Sequence, residues 1–246
     1  AGKSTFIKVI TGVHKAEEGE MYLFGEKVDF KGPKDAQAAG IAAVYQHPTS
    51  YPHLSVAENI FMGHEIIKHK MIQWKAMNEE ANKLLKQLNA DFDATAEMGT
   101  LSVAQQQMVE IAKALSTHAK IVILDEPTAS LTRRESEELY RIVDQLREEG
   151  VSIIFISHRF EDMYRLASRV TVFRDSQYIG TYDVDGITNA DLIKAMVGRE
   201  IKDLFPKPEV EIGEEMLRIE GLSRTGYYKN VSFNVHAGEI VGLTGL

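Results

Sequence analysis

The chain has 246 residues, a length that fits one large domain or one domain with part of another. A formal net charge of -8, without a long cluster of lysines and arginines, argues against a nucleic-acid-binding surface. The sequence contains no cysteine, which excludes disulfides and thiolate metal sites, and its longest apolar runs are too short to span a bilayer.

The first five residues, Ala-Gly-Lys-Ser-Thr, match the last part of a phosphate-binding loop of the form G-x-x-x-x-G-K-[ST]. A helix is predicted over residues 3–11. In a complete loop, N–H groups at the helix N-terminus cradle the phosphates, and Gly2 lets the backbone approach closely. Lys3 would reach the β- and γ-phosphates, and the Ser4 hydroxyl would hold Mg²⁺. Alone, so short a motif also fits a chance surface match.

Periodicity and turn residues predict the elements that follow: a hairpin over residues 19–30, a strand over 41–45 ending at Gln46, a loop over 47–54 and a helix over 56–88. Two later helices begin with a capping box, formed by Ser102 with Gln105 and by Thr132 with Glu135. The first of these N-termini is also a candidate anion site, because free N–H groups attract negative charge there.

Residues 121–132, Ile-Val-Ile-Leu-Asp-Glu-Pro-Thr-Ala-Ser-Leu-Thr, are the most informative stretch. Four successive apolar residues predict a strand buried on both faces. Asp125 and Glu126 stand at its C-terminal end, where open α/β sheets bind ligands. One carboxylate can support a metal while the next takes a proton from water. A core strand that runs into a charged turn explains the same residues equally well when they are taken alone.

A second buried strand is predicted over residues 151–156, and His158 follows it. A lone histidine at a strand end is more often a hydrogen-bond partner than a catalytic group. The remaining predicted elements are a hairpin over residues 170–182, a helix from Thr188 to Gly198, a linker over 201–214 and short strands over 216–222, 231–235 and 239–244. The last strands form a unit too short to fold alone.

Taken in order, these motifs resemble the ATP-binding-cassette ATPases over residues 1 to about 200. The resemblance implies an α/β fold, a P-loop NTPase ABC-type core with a mostly parallel sheet, an antiparallel β subdomain and a helical subdomain at about residues 47–118. Residues 1–200 would be a first cassette that is incomplete at its N-terminus, 201–214 a linker, and 215–246 the opening strands of a second cassette.

The same resemblance assigns roles to individual residues, with ATP and Mg²⁺ as cofactors. The phosphates would be contacted by Gly2, Lys3, Ser4 and Thr5. The metal would be supported by Ser4, Gln46 and Asp125. The catalytic residues would be Glu126, which polarises the attacking water, His158, which contacts the γ-phosphate, and Gln46, which links the metal to the transport partner.

The signature helix would serve the nucleotide of an opposite cassette through Ser102, Ala104 and Gln105, and residues 130–132 would form the loop that crosses between the halves. Two positions depart from the family pattern. Ala104 stands where glycine is usual, and its methyl group could hold the nucleotide slightly away. Thr132 stands where aspartate is usual, and its capping role gives it a local reason to be there.

A narrower resemblance, to monosaccharide importers with two fused ATPase halves, rests on residues 101–115, 126–132 and 196–200. It implies an ATPase that energises uptake of a ribose-, galactose-, xylose- or rhamnose-type sugar from the cytoplasmic face of the membrane. The implied partners are two permease subunits docking near residues 45–61, the second half of the same chain and, indirectly, a sugar-binding protein, but no nucleic acid. Ala1 and Leu246 both read as cut ends, so the chain alone is expected to bind ATP poorly.

Two alternatives are open. A DNA- or ribosome-associated ATPase shares the cassette, but the DNA-repair type would place a long coiled coil between Gln46 and Leu101, and the ribosome type is usually more basic. A non-hydrolytic nucleotide-gated scaffold is the other alternative. Glu126 and His158 argue against it, whereas Ala104 leaves it open.

Overall fold

The fold is taken from a computed structural model, which describes residues 2–45, 50–198 and 210–244. The chain divides into two compact units, Ala1–Glu200 and Ile201–Leu246. The helices of the first unit are α1 (Lys3–Ile10), α2 (Pro33–Ala38), α3 (Val56–Phe61), α4 (Trp74–Gln87), α5 (Val103–Ser116), α6 (Arg133–Glu148), α7 (Phe160–Leu166) and α8 (Asn189–Val197). Its strands are β1 (Met21–Leu23), β2 (Glu26–Val28), β3 (Ile41–Val44), β4 (Ile67–Lys68), β5 (Met71–Ile72), β6 (Ile121–Asp125), β7 (Ser152–Ile156), β8 (Arg169–Arg174) and β9 (Gln177–Asp183).

A parallel sheet in the order β3-β6-β7 forms the centre of the first unit. The central strand β6 is buried on both faces, as its run of apolar residues predicts. Val122 and Leu124 pack into a larger core with helices α3 to α6, and Ile123 packs into a smaller core with Ile7 of α1 and Ala36 of α2. The sheet therefore has helices on both faces, and its strand ends lie near the N-terminus of α1.

Local signals place most of the helix ends correctly. The capping boxes at Ser102 and Thr132 are both present, with Gln105 and Glu135 as their partners. The last helix ends at Gly198, which has a left-handed φ of 85°. Both predicted hairpins are present: β1 pairs antiparallel with β2, and β8 pairs antiparallel with β9.

The single helix predicted over residues 56–88 is wrong. The structure has a short α3, an exposed hairpin β4–β5 and then α4. Gly63 has a left-handed φ of 85°, a conformation that helical residues do not adopt, so the chain turns just beyond α3. The apolar spacing continues through both helices, which is why periodicity alone joined them.

Two strand predictions also need correction. β7 is not a fully buried strand, because it lies at one side of the sheet, and Ile154 is 37% exposed. Residues 239–244 form no strand among the described residues, and Ile240 and Leu243 are 98% and 81% exposed. A strand needs a neighbour for its N–H and C=O groups, and apolar composition does not provide one.

The second unit contains a long antiparallel hairpin of β10 (Glu215–Arg224) and β11 (Tyr228–His236), with irregular register near Gly221. Nearly all side chains of β10 are exposed. Within the described residues of the whole chain, no helix is both long and apolar enough to cross a membrane.

Candidate active site

The carboxyl ends of β6 and β7 lie side by side at the same edge of the sheet. Asp125 pairs with Ile156, and the Glu126 N–H donates to the Ile156 carbonyl at 2.8 Å. Glu126 and His158 therefore leave neighbouring strands at the same edge, which is where ligands bind in open α/β sheets.

Glu126 lies between two cationic or basic groups. Its Oε1 is 4.0 Å from Lys3 Nζ, and its Oε2 is 3.3 Å from His158 Nδ1. The Glu126 side chain is 21% exposed, so water reaches the carboxylate from one side. The structure thus brings together three residues that are distant in sequence: the lysine of the phosphate loop, the second carboxylate of β6 and the histidine after β7.

The backbone of Glu126 has a φ of 49°, in the left-handed region that glycine normally occupies. Such a conformation is unfavourable for a residue with a long side chain and tends to occur at functional sites. Hydrogen bonds on both sides hold it in place: the one to Ile156, and another from the Ala129 N–H to the Glu126 carbonyl at 3.2 Å. The turn aims the carboxylate away from the strand direction and toward Lys3 and His158.

The neighbouring Asp125 is partly buried. Burial raises the pKa of its carboxyl, the Glu126 charge raises it further, and Lys3 opposes both effects. Two adjacent carboxylates with incomplete cationic compensation fit a divalent cation. Among the described residues, no group of three or more histidine, cysteine, aspartate or glutamate side chains is placed to hold a metal ion.

The first turn of α1 has features that suit an anion-binding site. Gly2 is its N-cap with a φ of 83°, and the turn contains no acidic residue. A Cβ on Gly2 would lie 3.4 Å from the Ser176 Cα in the β8–β9 turn, an ordinary contact distance, so it is the left-handed φ that favours glycine. Ser4 and Thr5 are exposed here, where the first N–H groups of a helix have no partner within the helix.

The signature residues lie elsewhere in the unit. Ser102, Ala104 and Gln105 line a recess of about 600 Å³ between α5 and α6, and Lys3, Glu126 and His158 are not part of its lining. Both ends of the Gln105 amide are engaged locally: Oε1 accepts from the Ser102 N–H, and Nε2 donates to Asp91, each at 2.9 Å. The helix N-terminus is thus a well-formed cap, whether or not it also contacts a ligand.

Gln46, predicted to be a metal-linked and catalytic residue, lies outside the described residues.

Sequence reasoning missed Asp162, which is fully buried in α7. Its carboxylate accepts hydrogen bonds from Thr128 Oγ1 at 2.5 Å, from Ser157 Oγ at 2.6 Å and from the Tyr140 hydroxyl. Thr128 follows Glu126 by two residues, and Ser157 precedes His158. Asp162 therefore ties together the two segments that carry the site, and an acidic residue in the first turn after His158 was the available signal.

A lysine at a helix N-terminus, a carboxylate pair at the end of a buried parallel strand and a histidine at the end of the next strand form an arrangement suited to binding the phosphates of a nucleotide. Residues 1–129 match the family described as ABC transporter. A solved structure, MJ1267, an ATP-binding cassette of an ABC transporter, superimposes with a TM-score of 0.70 at 26% identity, covering 79% of this chain and 83% of that one. The chain belongs to the ABC transporter family, and the α/β P-loop NTPase cassette predicted from its motifs is confirmed.

Several curated relatives match the whole chain, and two are described here. Ribose import ATP-binding protein RbsA 3 of Rubrobacter xylanophilus is 47% identical over 246 residues, covering 100% of this chain and 50% of the relative. Ribose import ATP-binding protein RbsA of Rhodococcus jostii is 47% identical over 247 residues, covering 100% of this chain and 49% of the relative. The chain therefore spans about half the length of the curated relatives it matches.

Proposed function

We propose that this chain is the greater part of one cassette of an ATPase subunit that energises monosaccharide uptake, with ribose as the first candidate sugar. The observation that carries the ATPase part is Glu126, held between Lys3 and His158 at the end of β6. The sugar is supported by the names of relatives that are 47% identical over the full length of the chain.

The cofactors are ATP and Mg²⁺. Lys3, Ser4 and Thr5, with Gly2, bind the phosphates at the N-terminus of α1, and Asp125, Ser4 and Gln46 support the metal. Bound Mg²⁺ would supply charge neutralisation on the phosphate oxygens.

Glu126 accepts a proton from the attacking water, and its left-handed turn holds the carboxylate ready for it. The His158 imidazole, 3.3 Å from Glu126 Oε2, holds the carboxylate in that orientation and contacts the γ-phosphate. Positioning and charge, rather than covalent chemistry, then account for most of the catalysis.

The organisation of the subunit is part of the same proposal. Residues 1–200 belong to a first cassette, 201–214 to a linker, and 215–246 to the opening strands of a second cassette. Ser102, Ala104 and Gln105 serve the nucleotide held by that second half. The partners are two permease subunits and, through them, a sugar-binding protein, so the subunit works on the cytoplasmic face of the membrane.

The central test is Glu126→Gln in the full-length subunit. The amide keeps the shape but cannot take a proton, so we expect ATP binding within about twofold of the original and hydrolysis slower by roughly two to four decades. Glu161→Gln is a matched control, because Glu161 is close in sequence to His158 but has a side chain that is 86% exposed. Unchanged hydrolysis in the Glu126 variant would show that the base lies elsewhere.

The sugar-import part has a separate test. We expect the ATPase, assembled with its permease in vesicles, to be stimulated by a binding protein loaded with ribose and not by the same protein without sugar. Stimulation by DNA or by ribosomes instead would favour a non-transport member of the family.

A further inference from the structure

The segment from Ile67 to Lys75, here called the projecting hairpin, has no role in the proposed reaction. It comprises β4, β5 and the first residues of α4. Every residue from 67 to 72 is exposed. Four large apolar side chains face solvent: Ile67 at 61%, Met71 at 65%, Ile72 at 38% and Trp74 at 52% exposure. Single exposed apolar residues are ordinary, but four within eight positions, on both faces of one hairpin, are an unusual concentration.

The projecting hairpin is a formed structure rather than a loose loop. Its turn is made by His69 and Lys70, whose φ values of 50° and 63° are both left-handed, as in a two-residue type I′ turn. Gln73 fastens the base: its N–H donates to the Ile66 carbonyl at 2.8 Å, and its amide donates to the Met71 carbonyl at 3.0 Å. The apolar side chains are thus presented on a backbone whose own polar groups are largely paired.

The charge of the projecting hairpin is opposite to that of the chain. The turn carries Lys68, His69 and Lys70 side by side, and Lys75 follows Trp74. Residues 66–78 contain no aspartate or glutamate, although the chain as a whole has a formal net charge of -8. Lys75 is 91% exposed, and its nearest carboxylate is that of Glu79 at 3.9 Å. A basic, apolar tip in an acidic protein indicates an anionic, apolar partner.

We propose that the projecting hairpin binds the surface of an anionic lipid bilayer. Tryptophan is favoured at the boundary between headgroups and acyl chains, isoleucine and methionine can enter the outer acyl region, and lysines attract anionic headgroups. A flat protein partner fits less well, since a stable protein interface needs about 800 Å² on each side and two-residue strands cannot supply it. This contact goes beyond the proposed ATPase reaction and does not depend on it.

The chain offers a direct probe, because Trp74 is its only tryptophan. Tryptophan fluorescence, excited at a wavelength that tyrosine does not absorb, therefore reports on the projecting hairpin alone. We expect a blue shift when vesicles of mixed phosphatidylcholine and phosphatidylglycerol are added, quenching when the lipids carry bromine on their acyl chains, and weakening of both effects by salt. Pure phosphatidylcholine vesicles should produce a much smaller shift.

The paired variant Lys68→Glu with Lys70→Glu should lower vesicle affinity by about tenfold or more, because two attractive charges become repulsive. Lys83→Glu with Lys86→Glu makes the same charge change further along α4 and should bind within about twofold of the original. All four lysines are exposed, and circular dichroism checks that both variants are folded. No blue shift with anionic vesicles, or equal losses in both variants, would overturn the proposal. A shift produced only by added permease would overturn it in favour of a protein contact.

Discussion

Glu126 and Asp125 are adjacent carboxylates whose surroundings differ. The first is turned out of the strand by a left-handed backbone and lies within 4.0 Å of a lysine and a histidine. The second remains in the strand, partly buried, with its pKa raised by burial and by the Glu126 charge. Environments that separate two like groups in this way support the different roles proposed for them, one to hold a cation and one to accept a proton.

A stability prediction follows for Asp125. Its folded-state pKa lies above the ordinary value, so the folded protein binds this proton more tightly than the unfolded chain does. The ionised carboxylate therefore lowers the free energy of unfolding at pH values above the raised pKa, and the penalty vanishes once pH falls below the ordinary aspartate pKa of about 3.9. Asp125→Asn should raise the free energy of unfolding at neutral pH, with the gain shrinking toward acid pH, as measured by urea unfolding.

The exposed Asp185 provides the comparison for this experiment. Asp185→Asn should leave the free energy of unfolding nearly unchanged across the same pH series. If Asp125→Asn destabilises the protein at neutral pH, the carboxylate is already compensated and the assignment of the cation site loses its physical support.

Asp162 gives a second prediction at the residue scale. Three hydroxyl groups donate to its buried carboxylate, and an amide offers only one acceptor oxygen. Asp162→Asn should therefore cost about 2–3 kcal/mol in urea unfolding, because buried hydroxyls lose their acceptor. Asp144→Asn, which removes only partly exposed ion pairs to Arg147 and Arg165, should cost less than about 1 kcal/mol. Equal losses for the two variants would contradict the role given to Asp162.

Helix α6 begins with a local cap and also contributes a side chain that hydrogen-bonds to the buried Asp162 next to the site. The Thr132 hydroxyl accepts from the Glu135 N–H at 3.3 Å, and the Glu135 carboxylate accepts from the Thr132 N–H at 2.8 Å. The box fixes where α6 begins, and α6 in turn carries Tyr140 to the Asp162 carboxylate.

Removal of this cap should be measurable. Thr132→Ala leaves helix N–H groups without their acceptor and should cost about 1 kcal/mol of unfolding free energy. Thr132→Asp restores both the cap and the residue usual in the family, and its unfolding free energy should match the original within about 0.5 kcal/mol. A similar loss in both variants would show that the threonine methyl group, rather than the cap, stabilises this end of α6.

The elements that could be predicted are those whose signals are local. Two helix starts are predicted by capping boxes only four residues long, Ser102 with Gln105 and Thr132 with Glu135. The run of apolar residues in β6 likewise predicts that this strand is buried. Lys3, Glu126 and His158 lie close together because of the order of the strands in the sheet. Residue spacing along the sequence does not reveal that order, so only the family resemblance could predict that these residues meet. β4–β5 was missed because apolar spacing joined two helices across it, and Asp162 was missed because its three partners come from separate elements.

At the scale of the whole chain, the two units differ in how much they bury. The first unit has two apolar cores, one on each face of its sheet. Residues 210–244, the described part of the second unit, contain a two-stranded hairpin. An isolated hairpin of this kind is marginally stable at best in water.

We therefore expect a peptide of residues 210–244 to show a largely unfolded circular dichroism spectrum near room temperature. The matched comparison is a protein of residues 1–200, which should unfold cooperatively on heating because it retains both cores. A peptide that melted cooperatively would contradict this expectation and would make the second unit an independent domain.

The position of β7 at one side of its sheet has a consequence for the protein in the test tube. Among the described residues no strand pairs with the outer edge of β7, and Ile154 beside it is 37% exposed, so an extended strand of another molecule can pair there. We therefore expect concentrated samples to associate through this edge, with intermolecular hydrogen bonds forming on the strand that leads into His158.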